Sequence, residues 1–86
     1  MGELSKLPNI GKTVEEQLIQ AGIHTPEELR TVGAKEAWLR ILEKDDSACI
    51  NRLMALEGAV RGVKKTLLPD DVKADLKEFY KQHKKK

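Results

Sequence analysis

Residues 7–29 constrain the fold of this chain more than any other stretch of the sequence. They begin with Leu-Pro-Asn-Ile-Gly-Lys, a pattern typical of a tight turn that leads directly into a helix. We predict that this helix runs from about residue 12 to residue 21 and that Gly22 ends it. The first backbone N–H groups of a helix have no partner within it, so such a turn can bind an anion, commonly a phosphate. The stretch therefore predicts two consecutive helices and one candidate anion site.

The turn resembles that of helix-hairpin-helix modules, a class of proteins associated with nucleic acids. The resemblance lies in Leu-Pro-x-Ile-Gly at residues 7–11, directly before a helix. Asn9 stands where that motif usually has glycine, and asparagine tolerates left-handed backbone angles better than most residues. The candidate phosphate contacts are Asn9, Ile10, Gly11, Lys12 and Thr13, of which the last three offer backbone amides and Lys12 adds charge. The alternative is a tight, well-packed corner that binds nothing.

The remaining sequence predicts four further helices. Thr25, Pro26 and Glu28 form a capping-box pattern that starts the second helix, which ends near Gly33. The third helix carries its apolar side chains in a single stripe: Ala34, Ala37, Trp38, Ile41 and Leu42. A fourth helix, at about residues 48–63, is apolar nearly all round, as is usual for the buried centre of a bundle. The predicted cap of this fourth helix is Asp45, Asp46 and Ser47.

Pro69 begins the fifth predicted helix, whose inward face is formed by Val72, Leu76, Phe79 and Tyr80. Gly58 and Gly62 in the fourth helix each cost about 1 kcal/mol relative to alanine, so we infer that neighbouring backbones approach closely there. No alternating run or Asn-Gly turn predicts a strand. The predicted fold is therefore all-α, a compact five-helix bundle with a helix-hairpin-helix-like N-terminal half.

Charge separates the body of the chain from its end. The last six residues hold four of the 16 Lys and Arg residues and none of the 14 Asp and Glu residues, so residues 1–80 have a net charge of −2. We predict one domain over residues 1–80 and a basic, disordered tail over residues 81–86. A dedicated DNA-binding protein usually has a basic face. The slightly acidic body therefore argues against inferring DNA binding from the hairpin resemblance alone.

A second group of basic residues, Arg61, Lys64 and Lys65, lies close together in sequence near the predicted end of the fourth helix. These residues could form a small basic patch that binds an acidic partner. The alternative, which we prefer, is that cations are placed there because they favour a helix C-terminus. The three aromatic residues Trp38, Phe79 and Tyr80 lie on apolar stripes and are predicted to be core residues rather than base-stacking platforms.

Catalysis and metal binding have little support in the sequence. Cys49 has no histidine nearby and is predicted to be a buried small hydrophobic residue, while His24 and His83 have no partner at metal-ligand spacing. No nucleophile–base pair or nucleotide-binding loop is present, so we expect a non-enzymatic protein without cofactor, metal or small-molecule substrate. One cysteine, no apolar run of roughly 20 residues and no signal peptide predict a cytoplasmic protein away from the membrane.

The chain as a whole resembles the C-terminal domain of the TfoX (Sxy) family of bacterial competence regulators. The matching features are residues 7–11, Ala21-Gly22-Ile23-His24-Thr25-Pro26-Glu27-Glu28-Leu29-Arg30, Gly33-Ala34, Cys49-Ile50-Asn51, residues 55–62 and Leu68-Pro69. The resemblance implies a bundle similar to helix-hairpin-helix and sterile-alpha-motif-like folds. It also implies a regulatory role in competence, which longer members perform with an additional N-terminal domain. We expect a standalone form of the C-terminal domain.

Two functional hypotheses follow. In the first, the chain is a small regulatory module that binds duplex DNA through residues 9–13, helped by Lys6, Lys12 and the lysine tail. In the second, it is a protein-interaction module that pairs with a protein regulator or forms a homodimer, with no direct nucleic-acid binding. The turn favours the first hypothesis, and the near-neutral charge favours the second.

Overall fold

The computed structural model describes residues 4–45 and 48–83, and these residues form helices and connections with no strand. The five α-helices are α1 (Lys12–Gln20), α2 (Pro26–Val32), α3 (Ala34–Lys44), α4 (Ile50–Arg61) and α5 (Asp70–His83). Two short 3₁₀ turns, Leu4–Lys6 and Lys65–Leu67, precede α1 and α5. The prediction of an all-α fold with five helices is confirmed.

The end of α1 is fixed by a glycine-containing Schellman motif. Gly22 adopts a left-handed backbone with φ of 87°, which a residue without a Cβ adopts at no steric cost. The backbone N–H of Ile23 donates to the Leu18 carbonyl at 2.9 Å, and that of Gly22 donates to the Ile19 carbonyl at 3.0 Å. The side chains of Leu18 and Ile23 are both fully buried, as the sequence pattern predicts.

The start of α2 follows the predicted capping pattern with one difference. Pro26 is the first helical residue, and the Thr25 hydroxyl oxygen accepts a hydrogen bond from the Glu28 backbone N–H at 3.1 Å. The Glu28 carboxylate accepts from the backbone N–H of His24 at 2.6 Å, one residue before the capping threonine. The first bond satisfies a donor of the first turn of α2, and the second satisfies the N–H just before the capping residue, so both fix the start of the helix.

Helix α4 lies at the centre of the bundle and packs against α2, α3 and α5. Its buried residues are Leu53, Ala55, Leu56, Gly58 and Ala59. The predicted bounds of this helix are wrong at both ends. The helix begins at Ile50 after Cys49, and it ends at Arg61 because Gly62 takes the left-handed conformation with φ of 79°. Asp45 caps the C-terminus of α3 instead, while Asp46 and Ser47 lie outside the described residues.

Helix α5 covers α3 and α4 through its aromatic residues. Trp38 is fully buried, and its ring lies 6.0 Å from that of Phe79 and 5.7 Å from that of Tyr80. Of the three aromatic residues predicted to be in the core, Trp38 is a core residue, while Phe79 and Tyr80 are partly buried and pack against the core. The helix continues to His83, so residues 81–83 are helical and not part of a disordered tail. The ring centroids of His83 and Phe79 lie 4.2 Å apart, and this contact accompanies the helical conformation of residues 81–83.

The two glycines of the fourth predicted helix have different structural roles. A Cβ on Gly58 would lie 2.5 Å from the Asn9 side-chain nitrogen and 2.7 Å from the Val63 carbonyl oxygen. The close backbone approach that the sequence predicts therefore occurs at Gly58. A Cβ on Gly62 would meet nothing within 4 Å, so Gly62 serves the left-handed helix end and not packing.

The substitution Gly58→Ala is expected to destabilise the fold by about 1–3 kcal/mol, because the added methyl must displace either the Asn9 amide or backbone. Urea unfolding followed by circular dichroism measures the change. Gly11→Ala is the matched control, since a Cβ there meets nothing within 4 Å and φ is −94°. We expect the control to cost less than about 1 kcal/mol. Equal effects of the two substitutions would contradict the assigned role of Gly58.

Candidate nucleic-acid interface

The N-terminus of α1 presents unpaired backbone donors. Gly11 is its N-cap residue, with an extended backbone and no side-chain cap. The first hydrogen bond that closes the helix runs from the Glu15 N–H to the Gly11 carbonyl at 2.9 Å. Within the described part of the chain, no hydrogen bond engages the backbone N–H groups of Gly11, Lys12 or Thr13. All three residues are exposed, so these donors are accessible to an anion.

Gly11 leaves open space at this turn. Because a Cβ at this position meets no other atom of the described chain within 4 Å, the glycine is not required by intramolecular packing. Its φ of −94° is also accessible to any residue. The glycine thus leaves room beside the three free amides, an arrangement that suits the approach of a ligand.

Asn9 and Ile10 serve the protein interior. The Ile10 side chain is buried, and its backbone N–H donates to the Leu7 carbonyl at 3.3 Å. Asn9 has the left-handed backbone that the motif requires, with φ of 69°. Its side-chain amide donates to the Val63 carbonyl at 3.0 Å, and its side-chain oxygen accepts from the Lys65 backbone N–H at 3.1 Å. Of the five candidate contacts, these two therefore hold the turn in place, while Gly11, Lys12 and Thr13 face outward.

The bonds of Asn9 bring the two groups of candidate residues together. Lys65 lies 56 positions further along the chain, yet its backbone nitrogen contacts the Asn9 side chain. Lys64 is exposed and Lys65 partly exposed, and both follow the end of α4 rather than lying on the helix. The sequence predicts the turn and these lysines as separate sites, because a contact between distant residues leaves no periodic signal.

Arg61 forms an ion pair on α4. Its guanidinium nitrogen lies 2.5 Å from the Glu57 carboxylate. Both side chains line a groove of about 400 Å³ between α3, α4 and α5. The other lining residues are Lys35, Asp71, Val72, Asp75 and Leu76, of which Lys35 and Asp75 form an ion pair at 2.6 Å. Arg61 lies in the last turn of α4, where the preferred interpretation places a cation, while Lys64 and Lys65 follow the helix end. A patch shared by the three basic residues stays a prediction.

Cys49 is the residue that sequence analysis placed least accurately. It is exposed and precedes α4 as the N-cap residue, whereas an apolar pattern predicted burial within the helix. Hydrogen bonding from the Arg52 backbone N–H is the main cause that lowers the pKa of the Cys49 thiol below its usual value. Partial burial opposes this change, and the Asn51 backbone N–H and the Arg52 charge add to it.

Two kinds of site are absent from residues 4–45 and 48–83. No group of three or more His, Cys, Asp or Glu side chains is arranged to hold a metal ion. None of the helices has the length and apolar character that crossing a membrane requires.

The fold and the turn define a small all-α module with free amides at one helix start. Residues 1–80 match the family described as the TfoX C-terminal domain, and the chain belongs to that family. It is 34% identical over 76 residues to Protein Sxy of Escherichia coli strain K12, matching 88% of this chain but 36% of Protein Sxy. The chain thus spans about a third of the length of this relative.

Two crystal structures from Listeria monocytogenes have the same fold. Both contain a protein of unknown function that is 54% identical to this chain, in a triclinic and a tetragonal form. The TM-scores are 0.91 and 0.90. Each match covers 92% of this chain, together with 90% of the triclinic-form chain and 96% of the tetragonal-form chain.

Removing the Asn9 side chain is expected to destabilise the fold by about 1–3 kcal/mol, because it leaves the Val63 carbonyl and the Lys65 N–H without their partner. Asn9→Gly isolates this effect, since glycine keeps the left-handed backbone. Asn9→Ala is expected to cost about 1 kcal/mol more, because alanine is strained there. Asn51→Ala, on the exposed face of α4, is the control. The urea concentrations at the unfolding midpoints rank the three variants by stability. Equal midpoints for all three would contradict the role of Asn9.

The Cys49 thiol is expected to react with iodoacetamide at lower pH in the folded chain than in the same chain unfolded in urea. A lowered pKa means that the reactive thiolate forms at lower pH. The measurement is the alkylation rate against pH, followed by mass spectrometry. Arg52→Gln keeps the backbone N–H and removes the charge, so it should abolish only the smaller part of the shift. Coincident midpoints for the folded and unfolded chains would refute the assignment.

Proposed function

We propose that this chain is a non-enzymatic regulatory domain that associates with duplex DNA through the N-terminus of α1. The observation that carries the proposal is the set of free N–H groups at Gly11, Lys12 and Thr13, beside the open space at Gly11. A helix N-terminus carries partial positive charge, and its amides are oriented to bind a phosphate group. Lys12 adds a full charge at the same point.

Family membership supports the regulatory part of this proposal. The chain belongs to the TfoX C-terminal domain family and is related to Protein Sxy. The resemblance described above associates this family with competence regulation, and we propose a role of that kind in the bacterial cytoplasm. The chain covers 36% of Protein Sxy, so the activity of a longer protein is transferred only as part of the proposal.

The net negative charge of residues 1–80 limits the DNA contact that we propose to a small number of phosphates. Residues 1–80 carry a net charge of −2, so long-range attraction to DNA is weak. Binding then depends on a few local phosphate contacts. Such an interface releases few counterions and has a modest dependence on salt.

Fluorescence anisotropy with a labelled duplex tests the proposal at low and near-physiological salt. Gly11→Ala is expected to weaken binding at least about fivefold, because a methyl group crowds hydrogen bonds to a charged phosphate. Gln20→Ala, exposed at the opposite end of α1, is the matched control and should bind like the unmodified chain. A full-length variant with Lys84, Lys85 and Lys86 all changed to Gln measures the contribution of the tail. Binding that disappears with these three charges, or no binding even at low salt, would refute the proposal.

The second candidate function is a protein-interaction or dimerisation module without direct nucleic-acid binding. Two large apolar side chains of the described chain are exposed and favour it: Leu67, at 68%, and Ile19, at 41%. Analytical ultracentrifugation of the full chain tests for a homodimer, with Leu67→Ser as the disruptive variant and Thr66→Ser as its control. A concentration-dependent dimer that Leu67→Ser abolishes, together with no DNA binding, would establish this second function.

A further inference from the structure

The turn before α1 and the connection between α4 and α5 form one continuous surface. Asn9 joins them, because its side chain contacts the Val63 carbonyl at 3.0 Å and the Lys65 N–H at 3.1 Å. Lys6 and Lys12 lie three residues to either side of Asn9, and three residues span at most about 11 Å. We call the four lysines Lys6, Lys12, Lys64 and Lys65 the joined lysines.

The joined lysines are available to an external partner. Lys6, Lys12 and Lys64 are exposed, and Lys65 is partly exposed. No ion pair within residues 4–45 and 48–83 includes any of them, whereas Lys35, Arg40, Arg52 and Arg61 are each paired with a carboxylate. The acidic neighbours on α1 are Glu15 and Glu16. Four lysines and two carboxylates therefore belong to the connected segments and the first turns of α1, so this part of a slightly acidic chain carries more basic than acidic side chains.

We propose that Lys64 and Lys65 bind the sugar–phosphate backbone of the same duplex that the N-terminus of α1 contacts. The α4–α5 connection is then the second half of the interface. This inference rests on the proposed DNA association and specifies it further. Asn9 is a positioning residue, since its amide touches Lys65 and leaves the phosphate contacts to other groups. The dipole of α4 does not account for Lys64 and Lys65. The helix ends at Arg61, and Arg61 already places a positive charge in its last turn.

The salt dependence of duplex binding tests the proposal. The double variant Lys64→Gln and Lys65→Gln is expected to weaken binding several-fold and to lower the slope of log K against log salt by about two, one for each phosphate contact. The matched control is Lys44→Gln with Lys77→Gln, which removes the same charge from exposed positions on α3 and α5. Circular dichroism verifies that both variants remain folded. An unchanged slope, or equal losses in the variant and its control, would overturn the proposal.

The outcomes separate this inference from the function on which it rests. If Gly11→Ala weakens binding but the Lys64 and Lys65 variant does not, the interface is confined to α1 and the inference fails alone. If the unmodified chain does not bind DNA at all, the proposed function fails and the inference fails with it.

A double-mutant cycle tests the positioning role of Asn9. In an Asn9→Gly background, the lysine substitutions should weaken binding less than they do in the unmodified chain, because the connection is no longer held beside the turn. The cycle is measured well below the unfolding temperature of every variant. Additive losses would overturn the positioning role, since a residue that affects only stability leaves the cycle additive.

Discussion

The side-chain amide of Asn9 is the interaction on which the arrangement of this domain depends. It donates to the carbonyl of Val63 and accepts from the N–H of Lys65, thereby joining the beginning of the chain to the end of its central helix. The joint is close because Gly58 has no side chain at the point of contact. A partly buried amide with both ends paired is favourable, while either group left alone would carry a desolvation cost. The turn therefore has a defined position relative to the α4–α5 connection.

The contact of Asn9 with the α4–α5 connection also determines which charged residues lie near the turn. The chain as a whole is nearly neutral, and four cations of the described helices, Lys35, Arg40, Arg52 and Arg61, form ion pairs. Around Asn9, the turn before α1 and the α4–α5 connection lie next to each other, and the exposed residues Lys12 and Lys64 belong to these two segments. A weakly charged protein with one local cluster of donors fits a regulatory domain that makes a few contacts and relies on other contacts for affinity.

Local signals predicted the fold well, and contacts between distant residues escaped prediction. Gly22 with Ile23, and Thr25 with Glu28, have side chains and backbone angles that act within a few residues, so their motifs appeared as expected. Cys49 was misplaced because an apolar pattern does not show where a helix begins. Within the candidate site, the sequence predicted the turn, but it did not show which residues of the turn face inward.

The sequence by itself determined the number of helices, the caps between α1 and α2 and most of the apolar faces that form the core, because these depend on the spacing of neighbouring residues. It also predicted the turn before α1, whose backbone donors have no partner among the described residues. Only the tertiary structure decided that Asn9 reaches the end of α4 and that Lys64 and Lys65 lie beside the turn. The physical reason is that a hydrogen bond across more than 50 residues depends on how the helices pack, and packing depends on the shape of the whole core.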